Sequence, residues 1–506
     1  MRDLLRSALA LLLSFAPADG QTGRLAHPRD GRDIDSLAQV VMRQWHVPGL
    51  ALGVVKDGQV VFAKGYGYRD VEHMQPVTTR TVMAIGSNSK SFTVMLLGML
   101  AEDRKLSWDK PLRDYLPDFQ LWDPYATREL TPRDLVTHRS GLPRHDLLWY
   151  GRAFTRKELY QRLRYLEPTT SFRGRYQYQN LMFMTAGYLT EQLTGRTWDD
   201  LIRERIFTPL GMSRSNTSVA DSPRAEDYAL PYAWRDSLLV EVPFRSLDAI
   251  APAGAINSTI EDMLKYLELR LDSGRVGDRR LYQASTEARM QAPVSVSDGA
   301  GPDYPELGPS TYALGVGVTT YRGHKVVQHG GGIDGFSSGM SWLPHDRLGV
   351  IVLTNLGGTN AASIVSRYLY DRFLGLTPVD WVGRQKKLDS ENTVRADSVR
   401  KAREAERKPG TTPSHPLSEY TGSYEHPGYG RLTISSTGTG LELGLDSHRV
   451  PLLPFHYDIW ELDGRSTAVP ISGRVTFYLN KKGEVDRIAV PLEPALADIV
   501  FTRVPR

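Results

Sequence analysis

The sequence predicts an α+β fold followed by a smaller antiparallel β domain. Strand-like segments at 50–67 and 313–355 bracket a middle in which helical patterns dominate, so the two ends of this region are expected to complete one sheet. Short alternating runs separated by turns recur beyond about residue 417, after a linker containing Pro and Gly. The chain has 506 residues, 41 % of them apolar, which exceeds an average single domain and supplies a sizeable core.

Taken in order, "MRDLLRSALALLLSFAPADG" places Arg2 and Arg6 before an apolar stretch from Ala8 to Ala16, and Ala16-Pro17-Ala18 follows as a small-residue cleavage site. This predicts a signal peptide over 1–18 and an exported protein, since the run is too short for a permanent membrane span. Asp3 is unusual in such a segment, and a buried N-terminal helix is the alternative. The main domain is assigned to 24–380. In it, "LALGVVKDGQVVFAKGYG" (50–67) alternates around Asp57-Gly58 and reads as strand, tight turn, strand. Phe92, Met95, Leu96, Met99 and Leu100 fall on one helical face. Further helical patterns lie at 133–138, 181–195 and 259–274, and strand patterns return at 313–331 and 337–355, the latter around Pro344-His345-Asp346-Arg347. Residues 381–416 read as a charged, solvated helix and a linker ending in "KPGTTPSHP". The runs "RLTISST", "LELGL", "RVTFYL", "RIAV" and "IVFTRV" then predict an antiparallel β domain over 417–506.

Composition narrows the chemistry. Charge is almost balanced, 62 basic against 58 acidic residues, and no dense Lys/Arg block points to nucleic acid or an anionic membrane surface. The absence of cysteine excludes disulfides, thiolate metal sites, a Cys nucleophile and a lipidated Cys. The 12 histidines show no H-E-x-x-H or similar ligand spacing, so neither a metal nor another cofactor is expected.

The chemistry is expected in "AIGSNSKSFTVMLLGML" (84–100). Ser87 and Lys90 stand three residues apart at the entry of an apolar helix, which puts them on one face. A serine needs a base to become a nucleophile, and a lysine serves when burial or neighbouring positive charge keeps it neutral. The backbone N–H groups at a helix start are suited to an oxyanion. The same spacing recurs at Ser107–Lys110, which runs into Pro111, and at Ser398–Lys401 in the charged spacer; neither has an apolar helix behind it. Tyr178-Gln179-Asn180 precedes another apolar helix: the phenol is a candidate proton relay and the Asn180 amide a candidate for orienting lysine and substrate. A capped helix start with a core tyrosine is the structural alternative. A second Tyr-x-Asn, Tyr478–Asn480, sits at a strand turn and reads as structural. "VVQHGGGIDGF" ends a strand with His329-Gly330-Gly331-Gly332. Its glycines leave room for a substrate backbone, Gly332 offers a second oxyanion N–H, and His329 either joins the proton network, contacts a polar substrate group or is a satisfied strand-end histidine.

Ser-x-x-Lys, Tyr-x-Asn and His-x-Gly in that order resemble the penicillin-recognising serine hydrolases, which include class C β-lactamases, D-Ala-D-Ala carboxypeptidases, D-aminopeptidases and related esterases. The resemblance spans about 30–375 and extends to "LVTHRSGLP" (135–143), "LTGRTWDDLIRERIFTPLGM" (194–212) and "PAGAINSTIEDM" (252–263). It implies a β-lactamase/penicillin-binding-protein-like domain, an antiparallel sheet flanked by helices, with a barrel-like C-terminal module. It further implies that Ser87 forms the acyl-enzyme, Lys90 is its base, Tyr178 relays the proton and Asn180 positions Lys90 and substrate, with the N–H groups of Ser87 and Gly332 as the oxyanion hole. His329 departs from the family, which generally carries Lys-Thr-Gly in β-lactamases to hold a carboxylate. That departure favours a peptidase or esterase over a β-lactamase.

A rival reading takes "GFSSG" (335–339) as a nucleophile motif and "HGGG" (329–332) as its oxyanion loop, but Ser337 leads into a strand-turn-strand pattern rather than a strand-to-helix elbow. A non-catalytic penicillin-binding or sensor protein is a further alternative, although Ser87, Lys90, Tyr178 and Asn180 are all intact. The expected function is an exported serine hydrolase that cleaves amide or ester bonds in D-amino-acid-containing peptides, their amides or short acyl esters, with β-lactams as the alternative substrate.

Overall fold

A computed structural model of the chain describes residues 31–297, 304–438, 440–464 and 471–505. The leader expected over 1–18 lies outside the described residues. Among the described residues, no helix is long and apolar enough to cross a membrane.

The expected α+β sheet is formed. Its strands are β1 (Gly49–Lys56), β2 (Gln59–Asp70), β3 (Gln75–Pro76), β4 (Ser295–Val296), β5 (Thr311–Tyr312), β6 (Gly317–Tyr321), β7 (His324–Ile333), β8 (Phe336–Leu343) and β9 (Leu348–Thr354). They lie side by side in the order β4-β5-β6-β7-β8-β9-β1-β2-β3. The turn between β1 and β2 uses Asp57 and Gly58, both at positive φ (54° and 76°), the backbone that a two-residue hairpin needs. β1 pairs antiparallel with β9, Leu50 opposite Thr354 and Val54 opposite Val350, so the two ends of the main domain meet in mid-sheet.

Helices cover both faces. On one side lie α1 (Arg32–Gln44), α5 (Ala361–Phe373) and the first turn of α6 (Trp381–Ala405); on the other lie α2 (Ser89–Glu102), α3 (Asn180–Thr194) and α4 (Ile260–Leu271). The alternation of β1 sorts its side chains accordingly: Leu50, Leu52 and Val54 pack with α1 and α5, whereas Ala51 and Val55 join the core of the helical middle. Buried on both faces, β1 and β9 are apolar almost throughout.

The structure departs from the one-faced helix expected after Phe92. Every residue of α2 from Ser89 to Leu100 is buried, because the helix runs through the middle of the domain with neighbours all round. Its polar residues therefore need internal partners: Ser89 Oγ donates to Gly86 O at 2.7 Å, Ser91 Oγ to Asn88 O at 2.8 Å and Thr93 Oγ1 to Pro252 O at 2.7 Å. The helical pattern at 133–138 yields only one turn, Pro132–Leu135, and His138 beyond it has a left-handed backbone at φ 55°.

Beyond α6, of which only Trp381 is buried, eight strands close into an antiparallel barrel. They are β10 (Gly422–His426), β11 (Gly430–Ser436), β12 (Leu441–Leu445), β13 (His448–His456), β14 (Ile459–Leu462), β15 (Arg474–Leu479), β16 (Val485–Val490) and β17 (Ile499–Arg503). Closure is made by β10, which pairs with both β11 and β17. Tyr424, Leu432, Leu443, Val450, Trp460 and Phe501 fill the interior.

The β7 strand lies directly on the 3₁₀ turn Gly86–Asn88 that starts α2. Gly331 makes this contact: a Cβ there would collide with Ile85 O and Ser338 Oγ, so its missing side chain is taken up by the protein rather than by a passing substrate. Gly332 faces open space. Gly331→Ala should therefore lose about 1–3 kcal/mol of stability in urea unfolding, as overpacked sites do, whereas Gly332→Ala should unfold with the wild type.

Candidate active site

The 3₁₀ turn Gly86–Asn88 runs straight into α2, which leaves Ser87 partly exposed and buries Lys90 completely one turn later. Lys90 Nζ lies 3.0 Å from Ser87 Oγ, 2.8 Å from Asn180 Oδ1 and 2.7 Å from Ala253 O. Burial pulls the amine well below the ordinary lysine pKa, and the positive charge of Arg144 adds to the effect. A neutral amine has two N–H bonds and one lone pair. Asn180 and Ala253 take the N–H bonds, and the lone pair is left for the hydroxyl of Ser87.

Tyr178 completes the group, its hydroxyl donating to Ser87 Oγ at 2.6 Å. Burial raises its pKa, so the phenol keeps its proton at neutral pH. The Tyr178 ring packs 4.3 Å from that of His138, whose Nδ1 accepts the Gln179 N–H at 2.9 Å. Gln179 caps α3 by accepting the Leu181 N–H, and this sets Asn180 on the first turn facing Lys90.

His329 is held differently. Its Nδ1 donates to Gly330 O at 2.6 Å, and its Nε2, 3.0 Å from Tyr312 Oη, accepts from that hydroxyl. Burial pulls its pKa down to about 3, so it is uncharged at neutral pH. Its ring stands 6.3 Å from that of Tyr178, in the same wall. The backbone N of Gly332 is near the serine turn: a Cβ on Gly86 would come within 2.8 Å of it. The other candidates lie elsewhere. Ser337 is on β8 with its carbonyl bonded to Thr354 Oγ1, Ser398 lies along the exposed α6, and Tyr478 lies on the barrel strand β15.

Three residues of the site escaped the reading of the sequence. Asp146 Oδ1 accepts from Asn180 Nδ2 at 3.0 Å, while its Oδ2 accepts from Arg144 Nε at 2.6 Å. The Arg144 guanidinium lies 4.8 Å from the centre of the Tyr178 ring. Ala253 contributes only its carbonyl, which no side-chain pattern reveals. The available signals were "LVTHRSGLP", which stops one residue short of Arg144, and "PAGAINSTIEDM", which contains Ala253. Ser87, Arg144, Tyr178 and Asn180 line a cleft of about 900 Å³, together with Asp334 and with Glu493 from the barrel.

Comparison with known proteins places the chain in a family. Residues 34–374 match the family described as Beta-lactamase, and residues 406–503 match a domain of unknown function (DUF3471). The chain is 31 % identical over 427 residues to "Unguisins hydrolase ungD'" of Aspergillus campestris, covering 80 % of this chain and 77 % of that one. It is 30 % identical over 367 residues to a D-aminopeptidase of Cereibacter sphaeroides, covering 69 % and 66 %. Among solved structures, the octameric penicillin-binding protein homologue from Pyrococcus abyssi superimposes with a TM-score of 0.61 at 22 % identity, over 94 % of this chain and 100 % of that one. The chain belongs to the Beta-lactamase family. It is a serine hydrolase with the β-lactamase/penicillin-binding-protein-like fold and an eight-stranded C-terminal barrel.

A neutral buried lysine leaves a mark on stability. Between its lowered native pKa and the ordinary lysine range, the unfolded chain binds one proton more than the native chain, so stability rises with pH in that window. Lys90→Met removes this linkage. The wild type should gain on the variant by up to about 1.4 kcal/mol per pH unit in urea unfolding as the pH rises through the range below the ordinary lysine pKa. A difference that stays flat would show a protonated lysine in the native chain.

Proposed function

We propose that the protein hydrolyses amide or ester bonds through an acyl-enzyme on Ser87, with Lys90 as general base. The carrying observation is the saturated, buried environment of Lys90 Nζ, whose Asn180 and Ala253 partners leave only the direction of Ser87 open. Ser87 passes its proton to Lys90 as its oxygen attacks the substrate carbonyl. The N–H groups of Ser87 and Gly332 receive the oxyanion. Tyr178 gives its proton to the leaving amine or alcohol, and the resulting phenolate is reprotonated by the Lys90 ammonium, whose Nζ lies 4.8 Å from the centre of the Tyr178 ring. Water then attacks the acyl carbon as Lys90 takes its proton, and that proton passes to Ser87 Oγ as the acyl–oxygen bond breaks and the acid is released. Asn180 holds Lys90 in register throughout.

The name of one relative, a D-aminopeptidase, supports amide bonds, particularly those involving D-residues, as the substrate class, and the unguisins hydrolase name supports hydrolysis. His329 supports the preference for peptides, amides or short esters over β-lactams: it is neutral and bonded to Tyr312 and Gly330, so no fixed cation stands there for a carboxylate. Export is proposed on Arg2, Arg6 and the apolar run before Ala16-Pro17-Ala18, and the domain limits 24–380, 381–416 and 417–506 are proposed with it.

Mass spectrometry after treatment with a fluorophosphonate should find the adduct on Ser87, and Ser87→Ala should lose nearly all turnover. Tyr178→Phe should lower kcat about 100-fold or more, as expected for removal of a proton relay. In a panel of a D-alanyl amide, a p-nitrophenyl ester and a chromogenic cephalosporin, the first two should dominate. A dominant cephalosporin rate would favour the β-lactamase reading, and full function in Ser87→Ala would favour a non-catalytic binder.

A further inference from the structure

The barrel meets the catalytic cleft through the segment 491–495, which follows β16. Glu493 in this segment is only 5 % exposed; its charge acts on Arg144 across the cleft, but among the described residues it makes no ion pair within 4 Å. Its carboxylate is satisfied by backbone instead. Oε2 accepts the N–H of His145 at 2.6 Å, and Oε1 accepts the N–H of Ala495 at 3.0 Å. The barrel also holds His145 by its ring, since Nδ1 lies 2.8 Å from the hydroxyl of Tyr429.

His145 needs such holding. Its backbone is left-handed, at φ 49°, a conformation that side-chain-bearing residues adopt at a cost and keep only when their surroundings impose it. A buried carboxylate needs donors equally, so each group answers the requirement of the other. The position of His145 in the chain gives the contact its reach. Arg144 on one side lies against the Tyr178 ring, and Asp146 on the other accepts from Asn180, which in turn accepts from Lys90. Around this point the interface is continuous: Arg152 Nε donates to Asp446 at 2.6 Å and Arg152 Nη2 to Tyr429 O at 2.8 Å, while His448 Nε2 lies 3.1 Å from Tyr150 O.

We propose that Glu493 is a positioning residue for the hydrolase reaction: through His145 the barrel sets Asp146 and Asn180 against Lys90 and Arg144 against Tyr178. The inference rests on the serine-hydrolase mechanism proposed above and assigns the C-terminal domain a part in it. The barrel is then a component of the active site rather than an appended module.

The test uses the full-length chain and reads two quantities, the rate of Ser87 labelling by a fluorophosphonate and the kcat and KM for a p-nitrophenyl ester. Glu493→Ala should slow labelling and lower kcat about 10- to 100-fold, the range expected for a displaced catalytic group, with KM changed less than about 3-fold. Glu493→Gln keeps a carbonyl oxygen for the His145 N–H and should recover most of the rate. Tyr429→Phe, which removes only the second hold, should fall between wild type and Glu493→Ala. Glu425→Ala, on the barrel exterior beside Arg431, should match the wild type. Wild-type labelling and kcat in a folded Glu493→Ala protein would overturn the proposal, as would an effect confined to KM, which would make the segment a substrate wall. If Glu493→Ala does not fold, Tyr429→Phe decides, and an unchanged kcat there overturns the proposal. Failure of the wild type to label at Ser87 would instead overturn the hydrolase mechanism itself, so the two failures are distinguishable.

Discussion

An amine sealed from water is the constraint from which the rest of this structure follows. A charged lysine in that position would demand a carboxylate beside it, and Asp146 lies one residue further out, behind Asn180. The protein meets Lys90 with an amide oxygen and a backbone carbonyl, partners adequate for a neutral amine and poor for a cation. The burial that makes Lys90 a base is the burial of α2 as a whole. A helix with one solvated face would leave the same side chain protonated, so the basicity of one atom depends on the packing of a domain.

The sheet supplies the opposite wall. β7 continues past the end of β6, since Gly317 pairs with Gln328 and the following residues have only β8 beside them. His329 to Gly332 therefore present a free strand edge next to the serine turn. The glycines there have distinct duties: Gly331 lets the strand touch the turn, and Gly332 keeps the cleft side open. His329 turns its two nitrogens towards Tyr312 and Gly330, which fixes the wall and leaves it without charge.

The sequence disclosed those parts whose geometry is local. Ser87 and Lys90 share a helical face by spacing alone, and Tyr178 and Asn180 flank a capped helix start that announces itself in the residues. The β1–β2 hairpin and the β8–β9 hairpin were legible for the same reason, each being an alternating pair around a turn. What stayed hidden depends on distant packing. The full burial of α2 is not encoded in its own periodicity, because the polar Ser89, Ser91 and Thr93 satisfy themselves within or next to the helix. Arg144 and Asp146 act from a loop without a repeating pattern, and Ala253 acts through its backbone. In the barrel, β13 contains Pro451 and Pro454 and resembles no ordinary strand, so the residues alone announce a β domain and it is the family resemblance that implies a barrel.

The seam between β1 and β9 bears on how the chain is made. Val54 and Val350 are partners, yet roughly 300 residues of synthesis separate them, some 15–60 s at ordinary elongation rates. Throughout that interval the first hairpin is on the ribosome with one apolar edge unpaired, a template for association with any neighbouring nascent chain. The joining of the two ends is therefore a late event in synthesis, which cannot begin before the ninth strand emerges.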